Sequence, residues 1–314
     1  MKINHIMKIK SHLFFIISGG FINWKISARR ITIIIMNNRV KNKMFSLREL
    51  LRGMGSVLVC FSGGVDSSFL FKVAVDELGK KNAVGLHIKS ALHPSWTHTE
   101  ARCIAEDIGA KVIELDVDVM LIPGVIENPP DRCYHCKREI LEAATQQARS
   151  LKLKYVVDGT NADDVGDYRP GMQAVREMGV RSPLLEVGMT KREIRQAAKQ
   201  LKLPNWDKPS YTCLATRFPT GTTIDEEKLR RVAACEDALR EQGFGIYRVR
   251  YHGDLVRIEI ARDEFPRMFS DGRNEIIADA CRKAGFRYVA LDMEGYRTGS
   301  MNTSPSNEKD DKRK

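Results

Sequence analysis

No acidic residue occurs among residues 1–44, which carry nine Lys/Arg, and residues 297–314 carry five Lys/Arg against three acids. The net charge of +11 therefore lies in the two ends, since 37 of the 51 basic and 37 of the 40 acidic residues fall in 45–296. A formally neutral body argues against nucleic-acid binding, which wants its basic excess on the fold. Long apolar runs are also missing. Leu13–Ile17 and Ile31–Ile35 are too short to span a bilayer, and no convincing small-residue cleavage site follows the first. Neither a nucleic acid nor a membrane is an expected partner. Seven cysteines without regular spacing argue against a disulfide scaffold and fit a reducing, cytoplasmic compartment. The G-x-x-x-x-G-K-[ST] string and its lysine are absent, which excludes a Walker loop.

What is present centres on Phe61-Ser62-Gly63-Gly64-Val65-Asp66-Ser67-Ser68. Val57–Phe61 reads as a buried parallel strand, and Phe69, Leu70, Val73, Ala74 and Leu78 recur at helical spacing. The turn between them offers glycines that let backbone approach a ligand, and first-turn N–H groups that cradle phosphate with Ser62, Ser67 and Ser68. An ordinary glycine-rich turn with Ser67 as N-cap is the plainer alternative.

Further along, strands are expected at 83–88, 111–117 and 155–159, alternating with helices at 97–109 and 137–150. Alternation of this kind makes an α/β fold, a doubly wound parallel sheet whose ligands bind at the carboxyl ends of strands. The Ser62 turn, His87 and Gly159 fall at such ends. Thr190-Lys191-Arg192-Glu193 reads as a capping box opening a helix through Leu201. Residues 204–223 have no periodicity and read as a long functional loop. A helix at 225–242, strands at 247–250 and 255–260, a helix within 263–284 and a strand at 288–292 form a small α+β unit. The expected division is an extension at 1–44 outside the fold with Met36 or Met44 as functional start, an α/β domain carrying the Ser62 turn at 45–223, the α+β domain at 224–296 and a disordered tail at 297–314.

Cys133 and Cys136 form a C-x-x-C before a helix, and Cys213 lies in the long loop. Three thiolates can hold a metal or cluster with one position open. A zinc site, a thioredoxin-type redox pair and incidental thiols remain alternatives, although His135 is badly placed to be a zinc ligand. Cys60, Cys103, Cys235 and Cys281 are expected to be buried small hydrophobes. Asp163 and Asp164 are candidate Mg²⁺ ligands or merely solvated acids. Arg248, Arg250, Arg257 and Glu259 share a sheet face by period two, either as a charged outer face or as an anion site.

The S-G-G-x-D-S-S string resembles the PP-loop of ATP pyrophosphatases. Asn128–Lys137, Asp158–Asp164 leading to Tyr168–Gly171, and Lys208–Pro219 add a resemblance to the LarE family of sulfur transferases, extending from about Phe45 to Gly295. That resemblance implies ATP and Mg²⁺ at Ser62, Gly63, Gly64, Val65, Asp66, Ser67 and Ser68, with His87, Gly159 and Asp163 nearby. It implies adenylation of a carboxylate on pyridinium-3,5-biscarboxylic acid mononucleotide and its conversion to a thiocarboxylate for the nickel-pincer cofactor of lactate racemase. Cys133, Cys136 and Cys213 correspond to the family members that hold a [4Fe–4S] cluster and deliver a bound sulfide. Other members sacrifice the sulfur of the residue matching Cys213. Asp66 and Cys213 would be catalytic, and Arg248, Arg250, Glu259 and Glu236 match substrate-side positions. A sulfide donor protein and a homo-oligomer are the expected associations. A tRNA thiolase of the same superfamily is the competing expectation.

Overall fold

The computed structural model describes residues 6–9, 12–17, 20–22, 38–165, 170–297 and 301, so Tyr168 and Arg169 and nearly all of the tail lie outside it. The chain divides into two compact units, residues 1–45 and 46–314. In the first, β1 (Ile6–Ile9), β2 (His12–Ile17) and β3 (Gly20–Ile22) pair antiparallel in that order. Helix α1 spans Asn38–Met54.

The second unit carries a four-stranded parallel sheet of β4 (Val57–Cys60), β5 (Ala83–Lys89), β6 (Val112–Asp116) and β7 (Tyr155–Val157), in the order β6-β5-β4-β7. Chain order reverses between β4 and β7, and at such a switch point the loops diverge and leave a crevice. Around the sheet run α2 (Val65–Leu78), α3 (Ser95–Ile108), α4 (Arg132–Ser150), α5 (Pro170–Glu177), α6 (Pro183–Glu186) and α7 (Lys191–Gln200). This is the doubly wound α/β architecture that the alternating pattern implies. Two features differ from expectation. Helix α4 begins at Arg132 rather than Lys137, so the C-x-x-C occupies its first turn instead of preceding it. Helices α5 and α6 open with Pro170 and Pro183, where proline fits because a first-turn N–H has no helical partner.

Beyond these, α8 (Glu226–Glu241), β8 (Tyr247–His252), β9 (Leu255–Ile260), α9 (Phe265–Met268), α10 (Arg273–Lys283) and β10 (Tyr288–Leu291) build a sheet of order β10-β9-β8. β8 and β9 are antiparallel, while β9 and β10 are parallel. Leu58, Leu86 and Val156 of the large sheet pack on Leu141, Ala144 and Ala148 of α4. A second core joins Val249, Ile258 and Ile260 to Leu229, Val232 and Ile277, and also buries Leu92, Val125, Leu214, Ala215 and Phe218. The long loop is thus seated by its apolar residues.

Candidate active site

The β4–α2 turn is held by its own short side chains. Ser62 N–H bonds Ser67 Oγ at 3.2 Å, and Ser67 Oγ donates to Gly64 O at 3.1 Å. The N-cap is Gly64 rather than Ser67, and no side chain among the described residues caps α2. Its first-turn N–H groups are therefore available to an anion. Gly63 has φ +75°, and a Cβ there would stand 3.0 Å from Ala101 Cβ. Gly159, just past β7, passes so close that a Cβ would meet Ser67 N at 3.0 Å. Val65 and Ser68 are buried, and His87 bonds Phe61 O at 2.9 Å through Nδ1. The other His87 nitrogen faces His98 Nδ1 at 2.9 Å, so His87 supports the strand end from beneath. Burial keeps this histidine below its usual pKa. A groove of about 290 Å³ opens beside it, lined also by Ala101, Arg102, Glu106 and Glu114.

Two residues that sequence reasoning missed clamp this turn from α7 and the turn after it. Asn205 donates to Gly63 O at 2.9 Å and Ser68 Oγ at 3.0 Å. Lys191 forms an ion pair with Asp66. The only signal for Lys191 was the capping box, which does form: Glu193 Oε2 accepts from Thr190 N–H at 2.9 Å. Asp66 Oδ1 is buried without a partner among the described residues, and burial pushes this carboxyl above its ordinary range despite Lys191. An orphaned carboxylate oxygen beside open helical N–H groups suits a divalent cation with its phosphate ligand. Asp163 accepts from Lys191 N–H at 2.8 Å. Asp164 instead completes a capping box with Asn161.

The cysteines are brought near one another by two loops that hydrogen-bond along their length. Gly221 N–H bonds Asn128 O at 2.8 Å, Ile224 N–H bonds Ile126 O at 2.8 Å, and Asn128 Nδ2 donates to Pro219 O at 2.8 Å. Arg132 donates to Ala215 O at 3.1 Å, tying the start of α4 to the turn after Cys213. Burial, then repulsion from Cys213, raises the Cys133 pKa; the same causes with Cys133 added push Cys136 up to about 12. Next in sequence, Lys137 ion-pairs with Asp158 at 3.3 Å, and Asp158 also accepts from Ser182 and Thr160. Asp158 and neighbouring Cys60 keep the Lys137 ammonium charged against the effect of burial. One turn of α4 thereby links the cysteine pair to the carboxyl ends of β4 and β7.

Among the described residues no three His, Cys, Asp or Glu side chains form a single-ion metal site. His135 turns its Nε2 to Asp131 at 3.2 Å. A polynuclear cluster binds each thiolate through a different iron, so its ligands stand further apart than around one ion. Cys133 and Cys136, held protonated by burial and by repulsion from Cys213, fit such a group, whose positive charge would relieve both. The other cysteines divide: Cys235 and Cys281 are buried, Cys60 is half-buried, and Cys103 is exposed, contrary to expectation, on the outer side of α3.

Arg257 of β9 is half-buried and pairs with Asp292 and Glu259, but the other basic residues of its face are not solvated. Arg248, Arg250 and Glu259 are all buried, with Glu259 fully so. Their polar groups grip the Cys213 loop: Arg248 donates to Ser210 O at 3.0 Å, and Arg250 to Thr216 O at 2.9 Å and Glu259 at 2.8 Å. At the centre, fully buried Arg217 pairs with Glu236 at 2.7 Å and donates to Thr212 Oγ1 at 2.7 Å and Cys213 O at 3.3 Å. Glu236 also accepts from Tyr211 at 2.5 Å and Val249 N–H at 3.1 Å. No helix among the described residues is long and apolar enough to cross a membrane.

A family model described as NAD synthase matches residues 40–154. An uncharacterized protein of Synechocystis sp. is 40% identical over 266 residues, covering 84% of this chain and 98% of that protein. The pyridinium-3,5-bisthiocarboxylic acid mononucleotide synthase of Lactiplantibacillus plantarum is 36% identical over 262 residues, covering 83% of this chain and 94% of the synthase. An uncharacterized protein of Methanocaldococcus jannaschii is 30% identical over 266 residues, covering 85% and 97%. The chain belongs to the LarE family of PP-loop enzymes, to which the synthase of L. plantarum belongs.

Proposed function

We propose that the chain is an ATP-dependent sulfur transferase acting on pyridinium-3,5-biscarboxylic acid mononucleotide, the precursor of a nickel-pincer cofactor. A carboxylate is a poor electrophile, so its oxygen first attacks the α-phosphorus of ATP. The bond to the bridging oxygen breaks and pyrophosphate leaves. A sulfur nucleophile then attacks the acyl carbon and AMP departs. Backbone N–H groups at Gly63, Gly64 and the start of α2 stabilise the pyrophosphate charge, with Ser62, Ser67 and Ser68 shaping the turn. Asp66, helped by Asp163, would hold Mg²⁺, which neutralises phosphate charge. Cys133, Cys136 and Cys213 would hold a [4Fe–4S] cluster, whose open iron supplies sulfide without consuming a cysteine. Arg248, Arg250, Glu259 and Glu236 act through the loop they hold. In this reading 45–223 is the nucleotide domain, 224–296 braces the cysteine loop, and a reducing compartment and a sulfide donor are required.

The observation supporting this reading is the joining of residues 126–132 to 212–224, together with the repulsion that Cys213 exerts on the Cys133 and Cys136 thiols. The experiment is anaerobic reconstitution with iron and acid-labile sulfide analysis of the wild type and Cys133→Ala. The wild type is expected to bind both and be brown, and the variant to lose them; full retention by the variant defeats the three-cysteine assignment. Sacrifice of the Cys213 sulfur, which needs only one thiol in the loop that Arg217 and Arg250 hold, is the second reading. Mass measurement of the Cys213 peptide after turnover separates the two, since sacrifice removes one sulfur atom.

A further inference from the structure

We propose that Lys191 neutralises the Asp66 carboxylate in the nucleotide-free chain and moves to the β- and γ-phosphates of ATP when a magnesium ion takes its place at Asp66. The inference rests on the ATP reading above and adds to it an exchange of cations at one carboxylate.

Three observations lead there. First, the Lys191 side chain is 28% exposed and that of Asp66 20%, so the pair lies open to the crevice instead of being sealed in the core. Pairs in partial contact with water stabilise folds less than fully buried ones. Second, Lys191 does not complete the coordination of Asp66: Oδ1 stays buried without a partner among the described residues. One ammonium is thus an insufficient counter-charge there, whereas a divalent cation can engage both oxygens. Third, Asp66 lies in the first turn of α2, whose open N–H groups face the expected phosphate position. An ammonium displaced from Asp66 is already beside those phosphates.

A simple structural strut is the competing explanation. Yet α7 is docked independently of the ammonium, by Asn205 on Gly63 and Ser68 and by the Lys191 backbone N–H on Asp163. Removing the side chain therefore leaves the helix in position.

The test compares wild type, Lys191→Ala and Lys191→Arg at pH 8, after thermal melts establish that all are folded. Titration calorimetry follows Mg-ATP and AMP, and electron paramagnetic resonance follows Mn²⁺ added alone. In Lys191→Ala, ATP affinity is expected to fall about tenfold or more, the scale of a lost charge-assisted hydrogen bond. AMP affinity stays unchanged, because AMP lacks the two outer phosphates. Mn²⁺ alone binds more tightly, because its competitor is gone, and Lys191→Arg restores ATP affinity. Equal weakening of ATP and AMP, or unchanged or weaker Mn²⁺ binding, overturns the exchange. Absence of ATP binding by the wild type overturns the underlying ATP reading instead.

Discussion

The PP-loop end and the cysteine end of the crevice are built by opposite strategies. At the PP-loop, one strand, one turn and one helix supply nearly every group, within residues 57–78. Short serine bonds and close glycine approaches fix the turn, and Asn205 and Lys191 clamp it from outside. At the cysteine end, the thiols come from residues 80 positions apart and meet because loops, an arginine-filled core and a second sheet force them together. The first end is stabilised by local geometry, the second by buried charge, and the two should respond differently to mutation.

The largest difference is expected at Arg217. It is fully buried, pairs with Glu236 and spends its remaining donors on Thr212, Cys213 and Thr216. Truncating one partner of such a pair leaves the other charge buried, at a cost of about 3–5 kcal/mol. Denaturant unfolding of Arg217→Ala measures this, and Arg217→Ala/Glu236→Ala should recover part of the loss. A change below about 1 kcal/mol would mean that the loop is held by apolar packing instead.

This contrast also explains what the sequence revealed. The parallel sheet, the PP-loop and the α+β segment were legible because strand and helix periodicities and the S-G-G-x-D-S-S turn are local patterns. Arg217 and Arg132 were not. Nothing in a linear string distinguishes a buried arginine bonded to loop carbonyls from a surface one, and Arg248, Arg250 and Glu259 were read by strand period alone. That period put them correctly on a shared face but not on which side of the sheet water lies. Cys103 failed similarly: its helix was expected, but its position on the outer face of α3 depends on where the sheet sits.

A smaller effect is expected at the PP-loop. Gly63→Ala introduces a Cβ at 3.0 Å from Ala101 Cβ in a left-handed conformation, φ +75°. Strain of this kind costs about 1–3 kcal/mol. Its signature should be a larger loss in ATP affinity than in global stability, because the turn can relax into the open crevice. If denaturation midpoints fall while ATP affinity holds, the turn is a structural hinge and the contrast between the two ends collapses.

The smallest effect is graded by pH and reads the cysteine end directly. Cys136 is half-buried and, with burial and its thiol neighbours acting together, pushed up to about 12. Below that value the thiol is protonated and slow to alkylate, and each pH unit should raise the labelling rate about tenfold, since only the thiolate reacts. The sign for stability is the reverse. The unfolded chain ionises this cysteine first, so the stabilisation is complete below the ordinary thiol pKa and is lost as pH rises from there toward the folded value. Cys213→Ser removes one source of repulsion and should shift the Cys136 labelling curve to lower pH. An unmoved curve would mean that the thiols do not sense each other, and the cysteine end would then be a set of separate sites.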